Sequence, residues 1–322
     1  MKVLVTGANG QLGSEFRFLS SALQNERSKS NEFGEFADLD FVFLDKNALD
    51  LRDEKAVQKA VQRDDKGFYA LINCAAYTAV DRAQSEHEEA FVINEIGAQN
   101  LAKVCKANGI KLVHISTDYV FNGKAHKPLV ESDSTAPLGI YGESKLAGEK
   151  AILSANLAHS CIIRTSWLWS EFGSNFVKTI ARLANERDEI SVVSDQIGSP
   201  TNARDLAMMI CKILPRLDTL KGTEIFHYAN AGVASWFDFA YEIVRIVGLK
   251  CAVKSVSTDE YLAMNSGKII APRPFYSVLD TSKIKARFDI EIPHWRTSLA
   301  GANLANLTNS AKPTTITKKD SK

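Results

Sequence analysis

An apolar run at Lys2–Val5 stops at a glycine-rich turn, Gly7-Ala8-Asn9-Gly10-Gln11-Leu12-Gly13, and leads directly into an amphipathic stretch at Gln11–Leu23. No other feature of the chain restricts the fold as strongly. Glycines at these positions allow a tight turn, a close backbone approach to a pyrophosphate and close packing of helix on strand. The free N–H groups that open the helix then face the phosphates. The spacing, G-x-x-G-x-x-G, differs by one residue from G-x-G-x-x-G. A glycine-rich turn alone is weak evidence, but the strand–turn–helix setting favours dinucleotide binding over a plain structural turn.

The pattern that follows agrees with this start. Strand candidates at Phe41–Leu44, Ala70–Cys74, Lys111–Ile115 and Cys161–Arg164 alternate with helical patterns at Asp53–Val61, Glu86–Ala107 and Ser144–His159. This rhythm predicts an α/β fold, a Rossmann-type doubly wound parallel sheet. The strands show little polar alternation, as strands covered on both faces do. The polar segment 25–40 reads as an inserted loop. Residues 1–165 are expected to form the dinucleotide-binding domain. Residues 166–307 are expected to form mainly a smaller C-terminal substrate-binding lobe, with segments returning to the first domain. Its helices are placed at Asn175–Glu186, Ala203–Leu214, Ser235–Val247 and Ser282–Phe288, with strands near Ile190–Val193 and Phe226–Ala229. The Thr-, Ser- and Lys-rich residues 308–322 are expected to be a disordered tail.

Composition removes several function classes. Lys and Arg number 39 against 38 Asp and Glu, a formal charge of +1. This balance gives no footprint for nucleic acid or an anionic membrane. No apolar run reaches the length of a membrane span, and MKVLVTGANG is too short for a signal-peptide core. The five cysteines, Cys74, Cys105, Cys161, Cys211 and Cys251, form no C-x-x-C pair. They read as reduced core residues, and a cytoplasmic location is expected. The histidines show no metal-ligand spacing.

Candidate site residues fall into two groups. At the cofactor end, Asp45 closes the second strand where an acidic residue commonly holds the adenine ribose. Lys46 beside it suits a 2′-phosphate, which favours NADPH, with NADH as the alternative; a solvated pair at a strand end is the plain reading. Ala75, Ala76 and Tyr77 follow the third strand, where small residues let the chain pass under a cofactor. Asn94 is placed to bond across its helix. At the chemical end, a buried-looking strand runs into Ser116-Thr117-Asp118, and Tyr141 and Lys145 follow in Y-x-x-x-K spacing. A free tyrosine, with a pKa of roughly 10, is a sluggish base at neutrality. A lysine four residues on shares its helix face, and its charge favours the phenolate. Tyr141 is then the general acid in the reduction direction, Lys145 its tuner and Thr117 a polariser of the carbonyl. Y-x-x-x-K also occurs by chance; its position downstream of the glycine turn gives it weight.

The stretches GANGQLG at 7–13, NCAAYTAVDRAQSE at 73–86, VHISTDYVFNG at 113–123, YGESKLAGE at 141–149, RTSWLW at 164–169, DQIGSPT at 195–201 and APRPFYSVLD at 271–280 together resemble the extended short-chain dehydrogenase/reductase family. The resemblance covers nearly the whole chain in order, and AAYTAVD and STDYVF are more specific than the generic motifs. It implies NADPH- or NADH-dependent reduction of the 4-keto group of dTDP-4-dehydro-β-L-rhamnose to dTDP-L-rhamnose. It carries catalytic roles onto Thr117, Tyr141 and Lys145. It also implies substrate contacts at Asp118, Trp167, Asn175, Gln196, Thr201 and Arg273. Some relatives bind Mg²⁺ through glutamates, one of them late in the chain, and dimerise that way. Glu15 and Glu189 match two such positions, but no acidic residue lies between Glu291 and Asp320. The resemblance therefore gives no firm metal site, and monomer and homodimer both stay open. Two other readings share the fold. One is a nucleotide-sugar epimerase or dehydratase, although Tyr119 stands where a dehydratase needs a Glu. The other is a regulatory subunit that binds NADP without turning over a sugar.

Overall fold

The structure, a computed structural model, describes residues 1–26, 36, 38–63 and 67–303. The first half builds β1 (Lys2–Thr6), α1 (Gln11–Glu26), β2 (Asp40–Leu44), α2 (Glu54–Val61), β3 (Ala70–Asn73), α3 (Val80–Ala83) and α4 (His87–Phe91). A π turn at Val92–Ile96 leads into α5 (Gly97–Asn108), followed by β4 (Lys111–Thr117), α6 (Ile140–Ala155) and β5 (Ser160–Thr165). Next come β6 (Leu168–Trp169), α7 (Phe176–Glu186), β7 (Glu189–Val193), β8 (Ile197–Gly198), β9 (Thr201–Asn202), α8 (Ala203–Ile213) and β10 (Thr223–His227). The chain then forms β11 (Ala234–Ser235), α9 (Trp236–Val247), β12 (Ala252–Val256), α10 (Thr258–Met264), α11 (Ser282–Phe288) and α12 (Trp295–Gly301).

Six parallel strands form the central sheet in the order β10-β5-β4-β3-β1-β2. The order reverses between β1 and β3, and open sheets of this kind bind ligands at the carboxyl edge beside such a switch point. Register brings the needed ends together: Thr6 is opposite both Leu44 and Asn73, and Thr117 is opposite Thr165. One face of the sheet packs on α1, α8 and α11 through residues such as Phe16, Leu206, Ile210 and Phe288. The other packs on α2 and α5 through Val57, Leu101, Ala102 and Cys105. A separate core around Trp169, Val177, Ile180, Phe239 and Trp295 holds α7, α9, α12 and β7. Local signals set several helix ends. Asp53 caps α2 by accepting from Lys55 N and Ala56 N, Gly109 ends α5 in the left-handed region, and Ser235 with Asp238 forms a capping box on α9.

Three differences from the sequence expectation affect the site. The helix placed at Ser144–His159 spans Ile140–Ala155 instead, so Tyr141 lies in its first turn. Gly139 precedes the helix, and Ser144 is buried inside it, its Oγ donating to Tyr141 O. The single helix placed at Glu86–Ala107 is broken by the π turn that carries Asn94. The Phe226 strand, read with the lobe, is the sixth strand of the main sheet. Most of the segment 25–40, and all of 308–322, lie outside the described residues. No helix among the described residues is long and apolar enough to cross a membrane.

Candidate active site

The glycine turn is packed to its steric limit. Gly7 has φ +66°, and a Cβ on it would lie 2.5 Å from Ala75 N. A Cβ on Gly13 would lie 2.4 Å from Gly7 O. These contacts pull α1 and the loop after β3 against the turn, and they leave an open cleft of about 520 Å³ at the carboxyl edge. Gly7, Asn9, Gly10, Asp45, Lys46, Ala75 and Ala76 all line that cleft. Leu12 is buried below the turn, and Gln11 Oε1 is buried without a hydrogen-bond partner. A cradle that excludes side chains and opens on backbone fits an extended dinucleotide. Asp45 is more engaged than its position suggests. Its Oδ1 accepts from Asn47 N and Ala48 N, and its Oδ2 accepts from Asn9 Nδ2 at 2.7 Å. The backbone bonds, first that from Ala48, hold its carboxyl below the usual range.

Asn94 is buried in the π turn. Its Oδ1 accepts from Tyr77 N at 2.9 Å, while its Nδ2 donates to Tyr77 O and to Ser144 Oγ at 3.0 Å. It ties the loop under the cleft to α6, so it positions the site from below. Tyr77 is buried, and its hydroxyl donates to Glu86.

At the chemical end, β4 delivers Thr117 and α6 delivers Tyr141 and Lys145. Lys145 is 2% exposed. Its Nζ donates to Ile115 O at 2.6 Å and lies 3.4 Å from His114 Nε2. Burial pulls the ammonium down to about 8, against the opposing charge of Glu149. Burial pushes the Tyr141 phenol up to about 12, opposed by a bond with Thr117 and reinforced by Asp118. The tuning of Tyr141 by Lys145 expected from the spacing is therefore not expressed here, because the lysine is turned to the strand carbonyl. A protonated phenol is the form a general acid needs. Thr117 Oγ1 donates to Asp118 Oδ1 at 3.1 Å, and burial raises that carboxyl to about 6. Tyr119, which sequence reading used only to exclude a dehydratase, stands edge-on to Tyr141 with centroids 5.5 Å apart.

The residues assigned to substrate have partners of their own. Trp167 has φ 48°, unusual for a bulky residue, and stacks on Trp236 at 3.6 Å and 5°. Gly198 makes room for it: a Cβ there would lie 2.5 Å from the indole. Thr201 N donates to Trp167 O. Gln196 is buried and bonds Thr258 Oγ1 at 3.0 Å. Arg273 is held by Asp81 at 2.9 Å, on the segment that crosses Gly123. Asn175 serves as the cap of α7, accepting from Lys178 N and donating to Ser170 O at 2.7 Å. Trp236 and Asp81 are partners that sequence reading missed, and no local pattern singles them out. The two glutamates considered for Mg²⁺ have other partners. Glu15 is buried on Ser170 and Arg204, with burial raising its carboxyl, while Glu189 pairs with Lys254 at 2.7 Å. Among the described residues no three His, Cys, Asp or Glu side chains converge on a metal position.

Comparison with known proteins agrees with this geometry. The chain is 40% identical over 301 residues to the spore coat polysaccharide biosynthesis protein SpsK of Bacillus subtilis (strain 168), covering 92% of this chain and 95% of that one. It is 37% identical over 305 residues to the dTDP-4-dehydrorhamnose reductase of Sinorhizobium fredii, covering 92% and 95%. The crystal structure of dTDP-4-dehydrorhamnose reductase from Bacillus anthracis str. Ames in complex with NADP superposes with a TM-score of 0.79 at 42% identity, covering 92% and 96%. The family described as RmlD substrate binding domain matches residues 1–307, and the chain belongs to that family.

Proposed function

We propose that this protein is a dTDP-4-dehydrorhamnose reductase, reducing the 4-keto group of dTDP-4-dehydro-β-L-rhamnose to dTDP-L-rhamnose with NADPH. The observation that carries this is the meeting of Thr117, Tyr141 and Lys145 at the same sheet edge as the glycine cleft. The relatives named above support the choice of substrate.

When bound, the cofactor supplies a hydride for C4. The turn at Gly7, Asn9, Gly10, Gln11, Leu12 and Gly13 holds its pyrophosphate on backbone N–H groups. Asp45 and Lys46 stand at the adenosine end, and the Lys46 cation favours NADPH; the NADP-bound relative supports that preference. Thr117 donates a hydrogen bond to the substrate oxygen. Tyr141 donates its proton to that oxygen as charge develops, which completes the alcohol. Lys145, one helical turn beyond Tyr141, turns its ammonium from Ile115 O toward the phenolate left after transfer and stabilises it. To make that bond the Thr117 hydroxyl exchanges Asp118 for the substrate oxygen, and the strained Trp167 offers a flat face to the sugar, backed by Trp236. Arg273 exchanges Asp81 for the substrate diphosphate. Asn175, Gln196 and Thr201 shape the wall around the nucleotide. Residues 1–165 hold the cofactor and 166–307 mainly the sugar nucleotide.

The protein works as a monomer or homodimer without a required metal, since Glu15 and Glu189 have other partners. Five free cysteines fit a reducing cytoplasm. The test is NADPH oxidation with freshly generated dTDP-4-keto-6-deoxy sugar, with the product identified. An inert protein that copurifies with a large partner would favour the regulatory reading, and tightly bound NAD would favour an epimerase.

A further inference from the structure

Glu149 stands one helical turn beyond Lys145 on α6 and is 1% exposed. Its Oε1 accepts from Ser116 Oγ at 2.5 Å and from Arg164 Nε at 2.9 Å, and its Oε2 accepts from Arg164 Nη2 at 2.7 Å. Arg164, on β5, is 3% exposed and lies over the Phe121 ring. A buried ion pair is a poor way to gain stability, because desolvating two charges offsets most of their attraction. An apolar pair would hold α6 on the sheet as well. The pair therefore calls for another role, and its neighbour supplies one. Lys145 and Glu149 are four residues apart on one helix face, and Lys145 is the buried cation that the reaction uses.

We propose that Glu149 is a positioning residue that keeps Lys145 an ammonium through the working pH range, with Arg164 and Ser116 fixing the carboxylate in place. This rests on the role given to Lys145 above. The groups facing Lys145 leave this task to Glu149. From β4, His114 lies at 3.4 Å; burial and then Lys145 itself push its pKa well down, so the ring stays neutral and offers no counter-charge. Its Nδ1 meets Asn73 Nδ2, an amide oriented by Ala75 N donating to Asn73 Oδ1. The neutral ring therefore carries its proton on Nε2, toward Lys145, and opposes the ammonium. Beyond Arg164, His227 is pushed down to about 3 by burial and by Arg164. Asp118 acts on Tyr141, and on the helices packed against α6 Asp81 pairs with Arg273 and Glu86 with Tyr77. Glu89 pairs with Arg52. Lys106 reaches only the far end of α6, at Ala155 O.

The experiment measures NADPH affinity by fluorescence titration, and kcat with the keto sugar, from pH 6 to 10. Wild type, Glu149→Gln and Glu149→Gln/Arg164→Met are compared, with melting temperatures recorded at pH 7. Glu149→Gln strands a buried guanidinium and is expected to melt earlier; the double variant removes that charge and recovers stability. In Glu149→Gln the alkaline limb of NADPH affinity and of kcat moves down by about one pH unit or more, and in the double variant it moves down by less, because the opposing Arg164 charge goes too. A purely structural pair predicts the opposite: the double variant recovers stability and the wild-type limb together. That result, a limb unmoved in either folded variant, or a wild-type affinity with no alkaline limb would overturn the proposal. If Glu149→Gln does not fold, the double variant decides. A wild type that binds NADPH with an alkaline limb yet turns over no sugar would sink the reductase reading alone.

Discussion

Replacing Lys145 by Met should make the protein more stable and nearly inactive at once. The side chains are similar in length, so the buried volume is kept, but the charge goes. Burial pulls the Lys145 pKa from 10.5 to about 8, a difference on the order of 3 kcal/mol between the two protonation states. The sign follows from linkage. Below about pH 8 the lysine is protonated folded and unfolded, and the folded state carries the full cost. Between 8 and 10.5 the unfolded state binds more protons, so wild-type stability rises with pH and the cost fades. Above 10.5 it is gone. Loss of the bond to Ile115 O, worth about 1 kcal/mol or more, offsets part of the gain. Lys145→Met should therefore gain roughly 1–2 kcal/mol at pH 7 by urea unfolding, and little by pH 10.5. Turnover and NADPH affinity should both fall. A variant less stable than wild type at pH 7, or a stability difference unchanged between pH 7 and 10.5, would refute the claim that Lys145 is a charge held at a cost for function.

Other expectations follow from the same geometry. Tyr141→Phe keeps the edge contact with Tyr119 and removes only the acid, so turnover should drop about 10²–10⁴-fold with NADPH affinity nearly intact; most activity retained would mean another group donates the proton. Lys46→Ala should weaken NADPH more than NADH, by several-fold and less in high salt, because a partly exposed ion pair is worth at most about 1 kcal/mol; equal losses in cofactor titrations would remove Lys46 as the discriminator. EDTA should change neither turnover nor the sedimentation of the purified protein, since Mg²⁺ wants six well-placed oxygens and Glu15 is already committed to Arg204 and Ser170; a dimer that dissociates on chelation would point to a bridging site through Glu15 and Glu189.

The parts of this protein that the sequence alone determined are those whose physics is local. A glycine turn, a strand buried on both faces and a Tyr–Lys pair one helical turn apart each depend on neighbours within a few residues, so their spacing is their signature. That is why the parallel sheet, the glycine turn and the placing of Tyr141 and Lys145 on one helix were legible. The helix start misplaced by four residues shows the margin: Ser144 lies buried inside the helix, and Asn94 from 50 residues away bonds its hydroxyl. What only the tertiary structure decided depends on partners far apart in the chain. Asn94 reaches Tyr77 and Ser144, Glu149 reaches Ser116 and Arg164, and Trp167 stacks on Trp236. Each of these residues has an ordinary reading on its own, as a helix-surface amide, a solvated charge or a core aromatic. Burial and a distant partner change that reading, and neither is written in any short stretch of sequence, because desolvation and charge pairing act through space.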